Sequence, residues 1–377
     1  MTDNKRTHNG GVAQETAVEG KAPEFVIRSG DPLCGGVPAE RLTDSYVTPV
    51  ERLFVRSHGN VPHLVAAEHR IRVTGLVRSP QAFTVPELRD RFAQREAVAT
   101  LQCAGNRRQE LDAIAPVTGE VMWGGEAVGN GRWGGATLAD VLLSAGLAPE
   151  ATHVWFRGAD VDTHHGDPFP YEASISLERA LSTDVLLAYE LNGEPLAPLH
   201  GAPLRVVVPG AIGARSTKWL AAITVAAQPS PSYYQAHAYK LFGPEVTAQT
   251  VDWDAADGIG DQQLGSFICN PPAGSRVVAG TLSVEGYATA GGNRLVMRVE
   301  VQVDGSGRWQ PATLLDEPRR GAWVRWRTQL ELEPGRHVVA ARATDSDGQV
   351  QPADMGTRWN FKGYMNDAIQ QAEIEAV

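Results

Sequence analysis

The chain has 377 residues, of which 42% are hydrophobic and 21% are charged, and its formal net charge is −10. This length exceeds what a single hydrophobic core usually supports, so two ordered domains are expected. The negative charge disfavours nucleic acid and anionic membranes as partners, although a local basic pocket could still bind a small anion. No apolar stretch approaches the ~18 residues that a membrane-spanning helix needs, so a membrane protein is not expected.

The three cysteines, Cys34, Cys103 and Cys269, are far apart in the sequence and odd in number. This arrangement disfavours a disulfide framework and a thiolate zinc site, and it favours a reducing compartment. The N-terminus carries charge with no apolar run behind it, so we recognise neither a secretory nor a twin-arginine signal. We therefore expect a cytoplasmic protein, or a periplasmic one if a leader has been removed.

The N-terminal half predicts a mixed α and β domain. Residues 1–22 are polar and aperiodic, and they predict a disordered lead-in. From residue 23 to 240, β-type runs such as 70–77 alternate with helix-type runs. One helix-type run begins at Thr137, a good N-cap, and ends at Gly146, which favours termination.

The C-terminal third shows a different periodicity. A Pro/Ser segment at residues 229–232 predicts a linker into a second domain, which we place at residues 241–377. Residues 295–305 alternate apolar and polar side chains and end on Asp-Gly, and residues 337–345 repeat the alternation. This pattern predicts an all-β, immunoglobulin-like sandwich.

Cys103 stands at a predicted transition from strand to loop. It follows the apolar run 98–102 and precedes a loop that contains Arg107 and Arg108. Nearby guanidinium groups favour an ionised sulfur, which would make Cys103 a reactive thiolate or a metal ligand. A small buried hydrophobic side chain is the competing interpretation, and these local features favour the two equally.

Two other segments carry groups suited to binding an anion. Arg56 and His58 lie in a loop before a proline, although for these two residues alone solvated loop positions are the more ordinary interpretation. The second segment follows the predicted strand at 204–208, and its glycines and polar side chains suit a phosphate-bearing ligand. It is not a Walker loop, because the Gly-Lys-Ser/Thr order is absent. The polar side chains of the second segment are Arg215, Ser216, Thr217 and Lys218.

Two apparent motifs are rejected. Gly129, Gly131 and Gly134 have dinucleotide-motif spacing, but no strand is predicted before them and Trp133 would crowd the loop. The adjacent pair His164-His165 could suggest a zinc or iron site. Neighbouring side chains on an extended segment point apart, however, so a surface loop is the favoured interpretation.

Five segments together resemble the sulfite oxidase family of molybdopterin enzymes, over about residues 45 to 370. No segment suffices alone, but their order and spacing make the joint match specific. The five are Phe54-Val55-Arg56-Ser57-His58, residues 100–108, Leu187-Ala188-Tyr189-Glu190-Leu191-Asn192-Gly193, residues 200–219, and Trp359-Asn360-Phe361-Lys362-Gly363.

The resemblance implies a fold, a cofactor and a set of site residues. The fold is α+β: a sulfite-oxidase-type molybdopterin-binding domain followed by the β-sandwich. Molybdenum is bound by one pyranopterin dithiolene, by oxygen ligands and by the sulfur of Cys103, the only protein ligand. The positions that match the family's substrate pocket are Arg56, Arg108, Trp123, Tyr239 and Lys362. Those expected to bind the cofactor are Phe54, Val55, Arg56, Ser57, His58, Cys103, Ala104, Asp160, His200, Arg205, Gly213, Arg215, Ser216, Thr217 and Lys218.

The resemblance also implies an activity, the oxidation of sulfite to sulfate with two electrons passed onward. Neither a cytochrome b5-type nor a Cys-x-x-Cys-His haem motif is present, so we expect no haem and a separate electron acceptor, such as a cytochrome. A homodimer through the C-terminal domain is expected. Nitrate reduction, action on another small oxyanion or sulfoxide, and a cofactor-free interaction protein are the alternatives.

One position departs from the family pattern. Better-known eukaryotic members have an arginine where this chain has Lys362. Lysine keeps the positive charge but loses the planar two-pronged contact of a guanidinium. This difference predicts weaker or differently oriented binding of the anion.

Overall fold

The structure is a computed structural model that describes residues 17–256 and 258–377. Most of the predicted lead-in therefore lies outside the described residues. The strands and helices up to residue 226 are β1 (Val26–Gly30), β2 (Leu33–Gly36), β3 (Val55–Arg56), β4 (Ile71–Gly75), β5 (Gln81–Phe83), α1 (Val85–Arg91), β6 (Gln94–Gln102), α2 (Arg108–Asp112), β7 (Val128–Thr137), α3 (Leu138–Ala145), β8 (His153–Asp162), β9 (Phe169–Ser176), α4 (Leu177–Ala180), β10 (Leu186–Leu191), β11 (Glu194–Pro195), β12 (Arg205–Val207) and β13 (Leu220–Ala226).

The remaining strands begin at residue 265. They are β14 (Gly265–Asn270), β15 (Arg276–Val277), β16 (Gly280–Thr289), β17 (Val296–Val303), β18 (Gln310–Pro311), β19 (Thr313–Leu314), β20 (Val324–Leu332), β21 (Gly335–Asp345) and β22 (Gln370–Ala376). Among residues 17–256 and 258–377, no helix has the length and apolar character needed to cross a membrane.

The N-terminal half contains three small sheets, in the orders β1-β2-β3, β11-β10-β7-β6 and β5-β4-β13-β8-β9, with β12 also paired to β10. Strands β13 and β4 are parallel, and the other pairs in these sheets are antiparallel. The main core packs apolar side chains of β4, β8 and β13 against α3, with Val73, Phe156 and Ile223 fully buried. The mixed α and β prediction for this half is confirmed.

Local sequence signals account for the helix α3. The Thr137 hydroxyl accepts a hydrogen bond from the Asp140 amide at 3.1 Å, and Gly146 follows the helix with a positive φ of 69°. Both ends are therefore as predicted, because a side-chain cap satisfies a free N–H and glycine tolerates a left-handed turn. The glycines at 129–134 lie inside β7 rather than in a loop, which agrees with rejecting a dinucleotide motif.

The C-terminal strands form two facing sheets, β14-β16-β20-β19 and β15-β22-β21-β17-β18. Alternate side chains of β20 are buried, including Val324 and Trp326, and they pack against Val299 and Ala341 of the other sheet. This alternation is what the two-residue period predicts for a sandwich. The turn after β17 is formed by Asp304 and Gly305, both with positive φ.

The segment between the two halves is packed against the N-terminal half. The Ser230 hydroxyl donates to Glu172 at 2.5 Å, and the Ser232 hydroxyl donates to the Glu172 carbonyl at 2.6 Å. A π-helical turn at Tyr234–Ala238 follows directly. The predicted linker is thus bound to β9, and the placement of the domain boundary at 240 and 241 stays a prediction.

The C-terminal half also contacts the N-terminal half. Between β21 and β22 the chain leaves the sandwich, and the Met365 amide donates to the Ala104 carbonyl at 2.7 Å. The Arg107 guanidinium donates to the Ala368 carbonyl at 2.8 Å. This excursion brings Lys362 and Tyr364 next to the loop that follows Cys103.

Candidate active site

Cys103 lies at the end of β6, where the strand turns into a loop. Its amide donates to the Ala127 carbonyl at 2.9 Å, and the residue is 8% exposed. Burial raises the pKa of the thiol, although Arg108 and Arg56 act in the opposite direction. The arginines alone therefore do not produce a thiolate, whereas a bound metal ion would deprotonate the sulfur.

Cys103 lines a cavity of about 700 Å³ in the N-terminal half. Most of the predicted cofactor-binding residues meet here, although they come from distant parts of the sequence. They are Phe54, Val55, Arg56, His58, Cys103, Ala104, Asp160, His200, Arg205, Gly213, Ser216, Thr217 and Lys218, and Tyr239 joins them.

A local irregularity in strand β8 explains how one of these side chains reaches the cavity. The register between β8 and β9 shifts between Arg157 and Val161, and Asp160 lies inside that bulge. A bulge re-aims the side chains that it contains, which explains how a strand residue reaches the cavity. Arg56 lies at the end of β3 and pairs with Cys34 of β2. Next to the cavity, the Ser57 hydroxyl accepts a hydrogen bond from the Lys218 ammonium at 3.1 Å.

The cavity is rich in positive charge. The Arg205 guanidinium donates to the carbonyls of His200 and Ser216 at 3.0 and 2.8 Å, and the Lys218 ammonium donates to the Leu199 carbonyl at 3.2 Å. Within the described part of the chain, neither cation forms an ion pair. Burial lowers the pKa of Lys218, with a further decrease from Arg205, and burial lowers the pKa of Arg205. Such groups are stabilised by an anionic ligand.

Two buried polar atoms of the cavity have no hydrogen-bond partner among residues 17–256 and 258–377. They are Oδ1 of Asp160 and Oγ1 of Thr217. Buried polar atoms are nearly always hydrogen-bonded, so these atoms indicate a ligand that donates and accepts hydrogen bonds. Together with the unpaired cations and the sulfur of Cys103, they fit a phosphate-bearing pterin whose metal is held by a thiolate.

Lys21 is a residue of this region that the sequence did not single out. Its ammonium donates to the carbonyls of Val50 and Leu53, both at 2.8 Å, and lies 2.6 Å from Nε2 of His200. Burial lowers its pKa to about 7. Lys21 falls within the predicted lead-in, and no neighbouring residue distinguishes it from a solvated lysine. Tyr171 and Leu199 line the cavity itself, and no local sequence pattern predicts that they do.

A second, wider cavity of about 1330 Å³ opens from the first, and we call it the mouth. Arg56, His58 and Tyr239 line both cavities. The Tyr239 hydroxyl lies 2.7 Å from Nε2 of His58. Burial raises the pKa of Tyr239 and lowers that of His58, so near neutral pH both side chains are uncharged. Lys362, Tyr364 and Glu120 complete this part of the wall.

Arg108 and Trp123 lie behind the wall rather than on its surface, with exposures of 2% and 0%. The Arg108 guanidinium fills a slot that a side chain at Gly105 or Gly363 would block. Trp123 packs against Phe54 edge to face, with ring centroids 6.3 Å apart. Both residues therefore support the site in this structure without reaching the cavities.

Two other predicted features lie away from the cofactor cavity. Nε of Arg215 donates to the Ile259 carbonyl at 2.9 Å, so the structure does not bring this side chain to the cofactor cavity. His164 and His165 lie on the loop after β8, as expected, and line the mouth. Nδ1 of His165 lies 2.7 Å from Oδ2 of Asp162. Among residues 17–256 and 258–377, no cluster of three or more His, Cys, Asp or Glu side chains could hold a metal ion.

Comparisons with known proteins agree with this geometry. Residues 58–234 match the family described as "Oxidoreductase molybdopterin binding domain", and residues 257–376 match "Mo-co oxidoreductase dimerisation domain". The sulfite oxidase of Gallus gallus is 41% identical over 356 residues, which cover 92% of this chain and 77% of that protein. This chain belongs to the sulfite oxidase family. The predicted family, and the predicted order of its two domains, are confirmed.

Other members of the sulfite oxidase family are similar over comparable lengths. The sulfite oxidase of Arabidopsis thaliana is 37% identical over 91% of this chain and 92% of that protein. Among solved structures, the sulfane dehydrogenase SoxCD from Paracoccus pantotrophus has a TM-score of 0.79 at 26% identity. The match covers 92% of this chain and 85% of that chain. The fold is therefore shared along nearly the whole length.

Proposed function

We propose that this protein oxidises sulfite to sulfate at a molybdenum cofactor bound through Cys103. The observation that carries this proposal is the junction of the two cavities. Cys103 lies in the cofactor cavity, and the residues shared with the mouth are Arg56, His58 and Tyr239. A small anion that enters through the mouth thus meets a cation and two hydrogen-bonding groups next to the thiolate ligand.

The inner cavity would hold the cofactor. When bound, the molybdenum cofactor would supply the oxygen-transfer and two-electron chemistry. The sulfur of Cys103 would be its protein ligand, which suits a soft thiolate. Lys218 and Arg205 would neutralise its phosphate, and the hydroxyl of Thr217 would bond to its polar edge.

The mouth would bind and orient the substrate. Arg56 and Lys362 supply positive charge, and the Tyr239 hydroxyl supplies a hydrogen bond in an enclosed site. Charges and dipoles act strongly where water is excluded, and they offset the hydration that an anion loses on binding. Because His58 and Tyr239 are uncharged near neutral pH, they act as hydrogen-bonding groups and not as a strong acid and base.

We further propose that electrons pass to a separate protein acceptor, such as a cytochrome. The net charge of −10 would suit a basic partner. Matching of residues 257–376 to a dimerisation domain supports a homodimer through the sandwich. A cytoplasmic location is proposed because Cys34, Cys103 and Cys269 are free thiols, as a reducing compartment would keep them.

The direct test is anaerobic reduction of the oxidised protein. We expect one equivalent of sulfite to change the absorption spectrum of the metal centre and to yield sulfate. Molybdenum content is measured on the same sample, from cells that synthesise the cofactor. Absence of molybdenum would favour the cofactor-free interaction protein. Rapid reoxidation by nitrate without reduction by sulfite would favour nitrate reduction.

A further inference from the structure

Glu120 is an acidic side chain among the cations of the mouth. It lies between α2 and β7, and its side chain is only 13% exposed. Oε1 contacts the Lys362 ammonium, and Oε2 lies 3.6 Å from Nη2 of Arg108. A carboxylate is unexpected in a cavity that must admit an anion, since like charges repel.

The structure holds this carboxylate close to its partners. The Arg108 guanidinium donates to the Val121 carbonyl at 2.6 Å and to the Lys362 carbonyl at 3.0 Å. One buried guanidinium therefore ties together the two segments that carry Glu120 and Lys362. Gly119, with φ of +77°, makes the turn just before Glu120. These contacts hold the backbones of the two segments together, so Glu120 and Lys362 remain neighbours.

We propose that Glu120 is an internal counterion that competes with anions for Lys362 and thereby limits how tightly the mouth binds them. This inference rests on the proposed function. Without a substrate, Glu120 neutralises Lys362. A bound dianion must share Lys362 with Glu120, so the binding of both sulfite and sulfate is weakened. Weak binding of sulfate favours its release, which frees the site for the next substrate molecule.

Competition by Glu120 gives a reason why a lysine at position 362 differs from the arginine of better-known family members. An arginine at position 362 could contact a carboxylate and an anion at the same time with its two-pronged head. The ammonium of Lys362 is a compact charge, so one carboxylate partner neutralises it more completely than it would neutralise a guanidinium. An anion can therefore gain attraction from Lys362 only to the extent that Lys362 loses its contact with Glu120.

The experiment measures sulfate binding to the oxidised protein by calorimetry, with no turnover. Glu120→Gln keeps the shape and removes the charge, and we expect sulfate to bind about 10-fold more tightly, as for a partly buried charge interaction. The sulfite KM should fall by a similar factor. The matched control is Glu110→Gln, since Glu110 also pairs with an arginine, Arg107, but lies outside the mouth. It should leave sulfate affinity unchanged.

Lys362→Met leaves Glu120 in place, so it keeps the inference testable if Glu120→Gln does not fold. It removes the cation that Glu120 neutralises, and we expect sulfate to bind more weakly. In the Lys362→Met background, Glu120→Gln should change sulfate affinity by much less than it does in the wild type, because the cation for which the carboxylate competes is gone. Unchanged or weaker sulfate binding in Glu120→Gln, unchanged sulfate binding in Lys362→Met, or an equal gain from Glu120→Gln in both backgrounds would overturn the inference. Tighter sulfate binding without any reduction by sulfite would uphold the counterion and reject the proposed activity.

Discussion

The cofactor cavity and the mouth both gather cations, but they differ in how the charge is compensated. Among the described residues, Arg205 and Lys218 of the cofactor cavity donate only to carbonyl and hydroxyl oxygens. In the mouth, Arg28 lies 2.7 Å from Glu126, and Lys362 contacts Glu120. The cations deepest in the cofactor cavity therefore lack a carboxylate contact in the described part of the chain, whereas two cations of the mouth each have one.

The difference corresponds to two kinds of anion. A group that stays bound can supply permanent countercharge, so the cations around it need no protein partner. A substrate that must enter and leave meets Lys362, which already has a carboxylate partner, because an unpaired cation at this position would bind the anion more tightly and slow its release. The following predictions test this contrast, beginning with the largest expected effect.

Cys103→Ser tests the ligand at the junction. The fold and most of the cofactor contacts should remain, but we expect the rate of sulfite oxidation to fall by more than about 100-fold. Loss of a residue that only contacts a metal ligand costs up to about 100-fold, and loss of the ligand itself should cost more. A harder oxygen ligand changes the redox chemistry of the metal. Turnover and circular dichroism are measured together. Undiminished turnover would remove Cys103 from the site.

Arg205→Met tests whether the inner cations bind a resident anion. We expect cofactor affinity to fall by about 10- to 100-fold, because a hydrogen bond to a charged group contributes ~1.5–3 kcal/mol. Molybdenum and pterin per chain are the readouts. The control Arg342→Met, in the sandwich, should keep its full content. Equal molybdenum content in the two variants would contradict this role of Arg205.

Lys218→Met tests the other inner cation through the pH dependence of the free energy of unfolding. Burial lowers the pKa of Lys218 from 10.5 to about 7 in the protein without cofactor. Between these values the unfolded chain binds more protons, so the free energy of unfolding should rise with pH. Lys218→Met should reduce that slope by up to about 1 kcal/mol per pH unit.

Urea unfolding of the cofactor-free protein measures this slope, from pH 7 to just below the ordinary cysteine pKa of 9. The upper limit matters because ionisation of Cys103 in the unfolded chain has the opposite effect. Lys240→Met serves as the control, since that lysine donates to the Trp253 carbonyl outside the cofactor cavity. Parallel slopes for wild type and Lys218→Met would show that Lys218 stays charged in the cavity.

Lys362→Arg tests the mouth and should have the smallest effect. A guanidinium can bind sulfite and keep a contact with Glu120, so we expect the sulfite KM to fall by about 2- to 5-fold with kcat nearly unchanged. Steady-state kinetics provide the measurement. An unaltered KM would mean that the shape of the cation at this position does not matter.

The sequence predicts well those features that depend on short-range patterns. The α3 helix follows from Thr137, Gly146 and the spacing of its apolar residues, and the sandwich follows from the alternation along β17 and β21. The cofactor cavity follows from a family resemblance spread over five segments. These features can be predicted because each depends on neighbouring residues or on motifs that occur in a fixed order along the chain.

The missed features depend on contacts between distant segments. Lys21 and His200 are 179 positions apart, and Glu120 meets Lys362 only because the C-terminal half returns to the catalytic half. Arg215 looked like a phosphate ligand from its neighbours, yet its guanidinium donates to the distant Ile259 carbonyl. No local pattern distinguishes a buried lysine or a bridging glutamate from a solvated one.

The return of the C-terminal half to the mouth has a consequence for modularity. Lys362 and Tyr364 line the mouth, but they belong to the excursion between two strands of the sandwich. Exchanging the second domain between relatives would therefore transplant part of the substrate pocket together with the assembly surface. Changes in the segment between β21 and β22 can therefore alter the wall of the mouth, although that segment belongs to the domain that matches a dimerisation family.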